Sequence, residues 1–90
     1  MRIDKFLFFA RLTKTRSAAQ ALVAAGHLRL DGKRIERDAH PVAAGQVLTL
    51  PRGDAVLVLR ILDLPTRRGP PAEAAALMED ANVSHQPLSD

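Results

Sequence analysis

LTKTRSAAQALVAAGHLRLDGKRI, residues 12–35, changes period halfway along its length. Thr13 or Thr15 can cap a helix running to about Ala25, since a hydroxyl there accepts from one of the first unpaired amides. Ala18, Leu22 and Ala25 form its expected inner stripe, with Ala21 beside it. Arg16 and Gln20, one turn apart, fall on the outer side with Ser17 nearby. The small alanines allow a neighbouring helix to approach closely. Gly26 follows as a C′ residue able to take positive φ. From His27 the pattern alternates. Leu28 and Leu30 point one way, and His27 and Arg29 the other. Asp31-Gly32 is a strong type I′ hairpin signal.

Working outward, Ile3 to Ala10 reads as a short helix with Ile3, Phe6, Leu7 and Ala10 on one face. Arg2, Lys5 and Phe9 share a different face. Asp4 sits near the helix start, where a carboxylate suits the macrodipole. On the C-terminal side, Pro41 breaks the chain and Gly45 turns it into a strand at Val47–Leu50. Ala55 to Leu62 is the most strand-like run. The order predicts an α+β domain: two N-terminal helices packed on a small antiparallel sheet of three to four strands. Residues 1–62 form that domain. Residues 63–90 read as a linker (PTRRGPP), a short helix (AEAAALMED) and a frayed terminus of about ten residues.

Ninety residues bound the chain to one small domain, and an apolar content of 47% is enough to fold without cross-links. There are no cysteines, so neither disulfides nor a cysteine metal site exist, which fits a reducing compartment. No apolar run reaches membrane-spanning length, and Arg2, Asp4, Lys5 and Arg11 interrupt any signal-peptide core. A cytoplasmic protein with no membrane association is expected. The net charge of +3 is unevenly spread. Residues 1–16 set Arg2, Lys5, Arg11, Lys14 and Arg16 against Asp4 alone, whereas residues 63–90 carry more acids than bases. A polyanion is drawn to the N-terminal third.

The candidate site lies at the start of the second helix, whose first amides lack intrahelical partners. Lys14 and Arg16 flank it, Thr15 and Ser17 offer hydroxyls, and Gln20 stands one turn on. Arg2 and Lys5 extend the patch if the helices lie side by side. Cations at the positive end of a helix dipole are placed against local preference, which suggests a site; ordinary capping with solvated charge is the plain alternative. Phe6 faces the core, while Phe8 and Phe9 are either packed or open to base stacking. Lys33 and Arg34 are edge-strand charge or an extension of the basic surface. Arg67 and Arg68 read as linker solubility, with a second anion contact as the alternative. Nothing points to an enzyme. His27, His40 and His85 lack metal-ligand spacing, Ser17 has no evident base, and no glycine-rich phosphate loop occurs. No metal or cofactor is expected.

Taken together, RIDKFLFFARLTKTRSAAQALVAAGHLRLDGKRI and VAAGQVLTL resemble the S4 RNA-binding domain, over roughly Arg2 to Leu50. The match rests on Arg2, Asp4 and Lys5, then Thr15-Arg16-Ser17, Ala21, the Gly26–Gly32 hairpin frame and Gly45. RRGPPAEAAALMED, residues 67–80, is similar to the segment that follows this domain in the heat-shock protein 15 family. The resemblance implies an S4-like (αL motif) fold and a small non-enzymatic RNA binder. It further implies a ribosome-associated role, on large subunits left carrying a nascent chain on tRNA under stress. Carried over by position, the RNA contacts are Arg2, Lys5, Arg11, Lys14, Thr15, Arg16, Ser17 and Gln20, with Lys33 on the hairpin. Phe6 and Phe8 stand where tryptophans are common. The lysine-rich C-terminal extension of some members is not matched, this tail being acidic or neutral. The expected partner is ribosomal RNA, bound by a monomer. A general translation or ribosome-assembly factor binding tRNA or mRNA remains open, as does a protein-interaction module using Phe8, Phe9 and Val56–Leu62.

Overall fold

Both halves of the 12–35 stretch take the secondary structure expected of them, a helix and then a hairpin. In the computed structural model, which describes residues 1–81, the first elements are α1 (Ile3–Phe9) and α2 (Arg16–Ala24). Thr15 caps α2, its hydroxyl oxygen accepting from the Ala18 N–H at 3.0 Å. Gly26 follows that helix at φ 78°. The end of α1 is built the same way. The Arg11 N–H donates to the Phe8 carbonyl at 3.1 Å and the Leu12 N–H to the Leu7 carbonyl at 2.9 Å, the paired bonds of a Schellman turn. Arg11 thus occupies, at φ 61°, the left-handed position that glycine fills after α2. A side chain there costs about 1 kcal/mol.

The remaining elements are β1 (Arg29–Leu30), β2 (Lys33–Arg34), β3 (Val47–Arg52), β4 (Ala55–Ile61), α3 (Pro71–Ala75) and β5 (Met78–Asp80). Asp31 and Gly32 turn the first hairpin with φ 51° and 83°, both positive as a type I′ turn requires. The Asp31 carboxylate also accepts from the Val47 N–H at 2.8 Å, which fixes the hairpin to β3. All pairings are antiparallel, in the order β2-β1-β3-β4-β5. α1 buries Ile3, Phe6, Leu7 and Ala10 in one cluster with Leu28, Leu30, Leu48, Leu50 and Ile61 of the hairpin and sheet. The loop before β3 binds the start of α1: the Ile3 and Asp4 N–H groups donate to the His40 and Asp38 carbonyls at 2.7 and 3.2 Å. The first amides of α1 are therefore already used. No helix among the described residues is long and apolar enough to cross a membrane.

Two expectations need correction. The sheet has five strands rather than three or four. AEAAALMED does not remain helical to its end; α3 stops at Ala75, and Met78 to Asp80 pair with β4 in the register Ile61↔Met78 and Leu59↔Asp80. A helix this short is marginal, whereas the open edge of β4 offers unpaired backbone groups. The Leu62 N–H takes the Leu77 carbonyl at 2.7 Å, and the Ala81 N–H takes the Val58 carbonyl at 2.8 Å. The second correction concerns α2. Its buried residues are Ala19 and Val23, while Ala18, Ala21 and Ala25 are exposed. Arg16 and Gln20, expected on the outside, turn toward α1 because a buried carboxylate there draws their donors. The expected frayed terminus lies, from residue 82 on, outside the described residues, as does His85.

Ala19 leaves no room at the helix–helix contact, so Ala19→Leu should lower stability by about 1–3 kcal/mol through overpacking. Ala18→Leu should change it by less than about 0.5 kcal/mol. Urea denaturation midpoints at equal slope check the pair, and equal losses would restore the face expected from the sequence.

Candidate nucleic-acid interface

Among the described residues, Asp4 is the one buried charged side chain. Its Oδ1 accepts from Arg2 Nε at 3.0 Å and from the Lys5 N–H at 2.7 Å. Its Oδ2 accepts from Arg2 Nη2 at 3.0 Å, Gln20 Nε2 at 3.2 Å and Arg16 Nη2 at 3.3 Å. Burial pushes the Asp4 carboxyl up, but the hydrogen bonds from Arg2, Gln20, Arg16 and the Lys5 amide outweigh it and hold its pKa at about 2. The carboxylate stays charged, and two arginines and a glutamine from two helices are drawn onto one point. Arg2 has a second acidic neighbour, Asp38, at 3.5 Å.

This arrangement accounts for part of the oddity in the sequence. Arg16 opens α2 at the positive end of its dipole, yet the Asp4 carboxylate compensates it there. Lys14 has no such partner; it is exposed and makes no ion pair among the described residues. Thr15 and Ser17 are exposed at the same helix start, and the Thr13 hydroxyl braces the turn by donating to the Thr15 carbonyl at 3.1 Å. Lys5 sits one residue from the buried carboxylate and places its Nζ 5.3 Å from the Phe9 ring centre. Arg2, Arg16 and Gln20 thus meet at Asp4, with Lys5 next to it in α1, while Lys14, Thr15 and Ser17 lie at the start of α2. Arg11 stands at the far end of α1 and donates from Nε to the Gly69 carbonyl at 2.6 Å. Lys33 is exposed on β2 and shares no hydrogen bond or ion pair with the Asp4 group.

The sequence gives Asp4 only a place near the helix start, whereas in the structure it organises the donors around it. Asp4 carried a signal all the same: it is the single acid among residues 1–16, set between Arg2 and Lys5. The aromatic residues divide as expected for Phe6, which is fully buried. Phe8 and Phe9 are half-buried, with ring centres 6.1 Å apart, and the Arg68 guanidinium lies 4.7 Å from the Phe8 ring. Among the described residues no group of His, Cys, Asp and Glu could hold a metal ion.

Because the folded pKa of Asp4 lies below its ordinary 3.8, the stabilisation is complete above about pH 4 and is lost as pH falls toward 2. The shift corresponds to about 2 kcal/mol. Urea unfolding between pH 5 and 2 should show that loss in the native chain. Asp4→Asn should already be destabilised by about 2 kcal/mol at pH 7 and show a flatter acid limb; an unchanged limb would remove Asp4 from this role.

Comparison with known proteins places this junction in a wider setting. The S4 domain family matches residues 1–48, from α1 into β3. Over 49 residues the chain is 39% identical to small ribosomal subunit protein uS4 of Listeria welshimeri, covering 54% of this chain and 24% of that protein. Over 84 residues it is 31% identical to heat shock protein 15 of Escherichia coli K12, covering 93% of this chain and 62% of that protein. The chain therefore spans less than two thirds of either curated relative. The Vibrio cholerae heat shock protein 15 structure, described as trimeric, superposes with a TM-score of 0.87 at 30% identity, covering 96% of this chain and 86% of that one. With the family match, the shared fold and the near-complete overlap in agreement, this chain belongs to the S4 domain family and is a homologue of heat shock protein 15.

Proposed function

We propose that this chain is a non-enzymatic RNA-binding protein that grips structured RNA by its phosphates. Its target, on this reading, is ribosomal RNA of the large subunit, in rescue or recycling of ribosomes under stress in the cytoplasm. Residues 1–62 carry the contacts: Arg2, Lys5, Arg11, Lys14, Thr15, Arg16, Ser17 and Gln20, with Lys33 on the hairpin. The observation that carries the proposal is the convergence of Arg2, Arg16 and Gln20 on the buried Asp4 carboxylate, beside the exposed Lys14 and the start of α2. Asp4 holds its partners in fixed positions before RNA arrives, so little side-chain entropy is left to lose on binding. Phosphate oxygens then meet guanidinium edges, hydroxyls and the helix N-terminus together, which reads shape and charge rather than sequence. The resemblance to uS4 and heat shock protein 15 supports RNA as the partner class.

The oligomeric state is decided separately. A monomer is our reading of the sequence, and the Vibrio protein is described as a trimer. Sedimentation of the purified chain, with and without RNA, distinguishes the two.

Binding should be measured with purified bacterial large ribosomal subunits and with protein-free ribosomal RNA across a salt series. Four to six phosphate contacts give a slope of log affinity against log salt of roughly −3 to −5. Lys14→Glu should weaken binding by about tenfold or more and flatten the slope. Arg52→Glu, on the β3–β4 hairpin and outside the proposed contacts, should leave both close to those of the native chain. A slope near zero, or equal effects of the two substitutions, would sink the proposal.

A further inference from the structure

The segment between β4 and α3 reads in the sequence as a linker, yet it is fastened to the end of α1. Arg68 Nε donates to the Phe8 carbonyl at 3.1 Å, the same carbonyl that accepts the Arg11 N–H at 3.1 Å. Arg11 Nε returns the connection by donating to the Gly69 carbonyl at 2.6 Å. Two guanidinium groups are therefore locked to neighbouring peptides through Nε alone. Neither has a carboxylate within ion-pair distance among the described residues. The contrast with the next residue is sharp, because Arg67 is neutralised by Glu73 at 2.8 Å.

We propose that Arg11 and Arg68 form a second phosphate-binding subsite, built jointly by the end of α1 and the strap that follows the sheet. This rests on the RNA-binding reading above and extends it to a residue outside that set. Three observations carry it. Arg11 keeps a left-handed conformation that glycine adopts freely at the equivalent place after α2, so its side chain is retained against backbone preference. The Nη groups of Arg68 make no hydrogen bond and are not buried, which leaves them open to an incoming oxygen. A row of contacts then joins the subsite to the main surface: Lys5 lies 5.3 Å from Phe9, Phe9 lies 6.1 Å from Phe8, and Phe8 lies 4.7 Å from Arg68. The competing explanation is that both arginines only neutralise the carbonyl end of α1 and hold the strap down.

Three variants of the full chain separate these outcomes, tested against purified bacterial large ribosomal subunits over a salt series. Arg11→Gly suits the turn and should keep the thermal midpoint, yet weaken binding severalfold and flatten the salt slope by roughly one. Arg68→Gln should flatten the slope by a similar amount. Arg67→Gln removes the same formal charge one residue away and should leave affinity within twofold and the slope unchanged. If Arg11→Gly and Arg68→Gln bind like the native chain while Lys14→Glu does not, the second subsite is wrong and the main surface stands. If all four bind normally, the RNA-binding reading itself fails. Equal losses in Arg67→Gln and Arg68→Gln would mean net charge alone and would also overturn the subsite.

Discussion

A carboxylate buried between two helices must be paired or it costs several kcal/mol. Asp4 meets that demand with three side-chain partners and a backbone amide. The requirement runs in both directions. The fold needs Arg2, Arg16 and Gln20 in place to keep Asp4 charged, and those same groups are the cations and amide that α1 and α2 present together. The helix crossing and the composition of the exposed junction are thus one constraint. Rotating α2 to the face its alanines suggested would leave the carboxylate with fewer donors than its burial demands.

Small residues make that geometry affordable. Ala10 and Ala19 are buried between elements where larger side chains would separate the helices. The loop carrying Asp38 and His40 then closes the start of α1 with its carbonyls. As a result α1 spends its own amides inside the molecule, and α2, capped only by Thr15, is the helix whose first turn faces outward. The asymmetry between the two helix starts decides which of them can serve a ligand.

Much of this was legible in the residues. The switch from helical period to alternation at Gly26, the Asp31-Gly32 turn, and the Ile3, Phe6, Leu7, Ala10 stripe all depend on local chemistry, which a sequence displays directly. What escaped depends on distant partners. The face of α2 was misassigned because four of its nine residues are alanine, and alanine suits the inside and outside of a helix almost equally. The tie-breaker was Asp4, sixteen residues before Gln20. The end of the helix expected in residues 72–80 differs for a similar reason: Leu77 and Met78 look helical until the edge of β4 is known. Arg67 and Arg68 are adjacent and identical in type, and only their neighbours in space make one an ion-pair member and the other a cap on Phe8.

The fifth strand has a consequence for solubility. β4, from Ala55 to Ile61, is apolar except for Arg60, and Val56 is 58% exposed on it. Left bare along its outer edge, such a ribbon is a template for any other chain's backbone. β5 occupies that edge with three residues, two of them the acids Glu79 and Asp80. The short strip acts as a gatekeeper: it takes up the pairing groups of β4, and Glu79 is held there by Arg60 at 3.3 Å. A derivative shortened before Met78 would reopen that edge and leave the β4 backbone groups available to another chain.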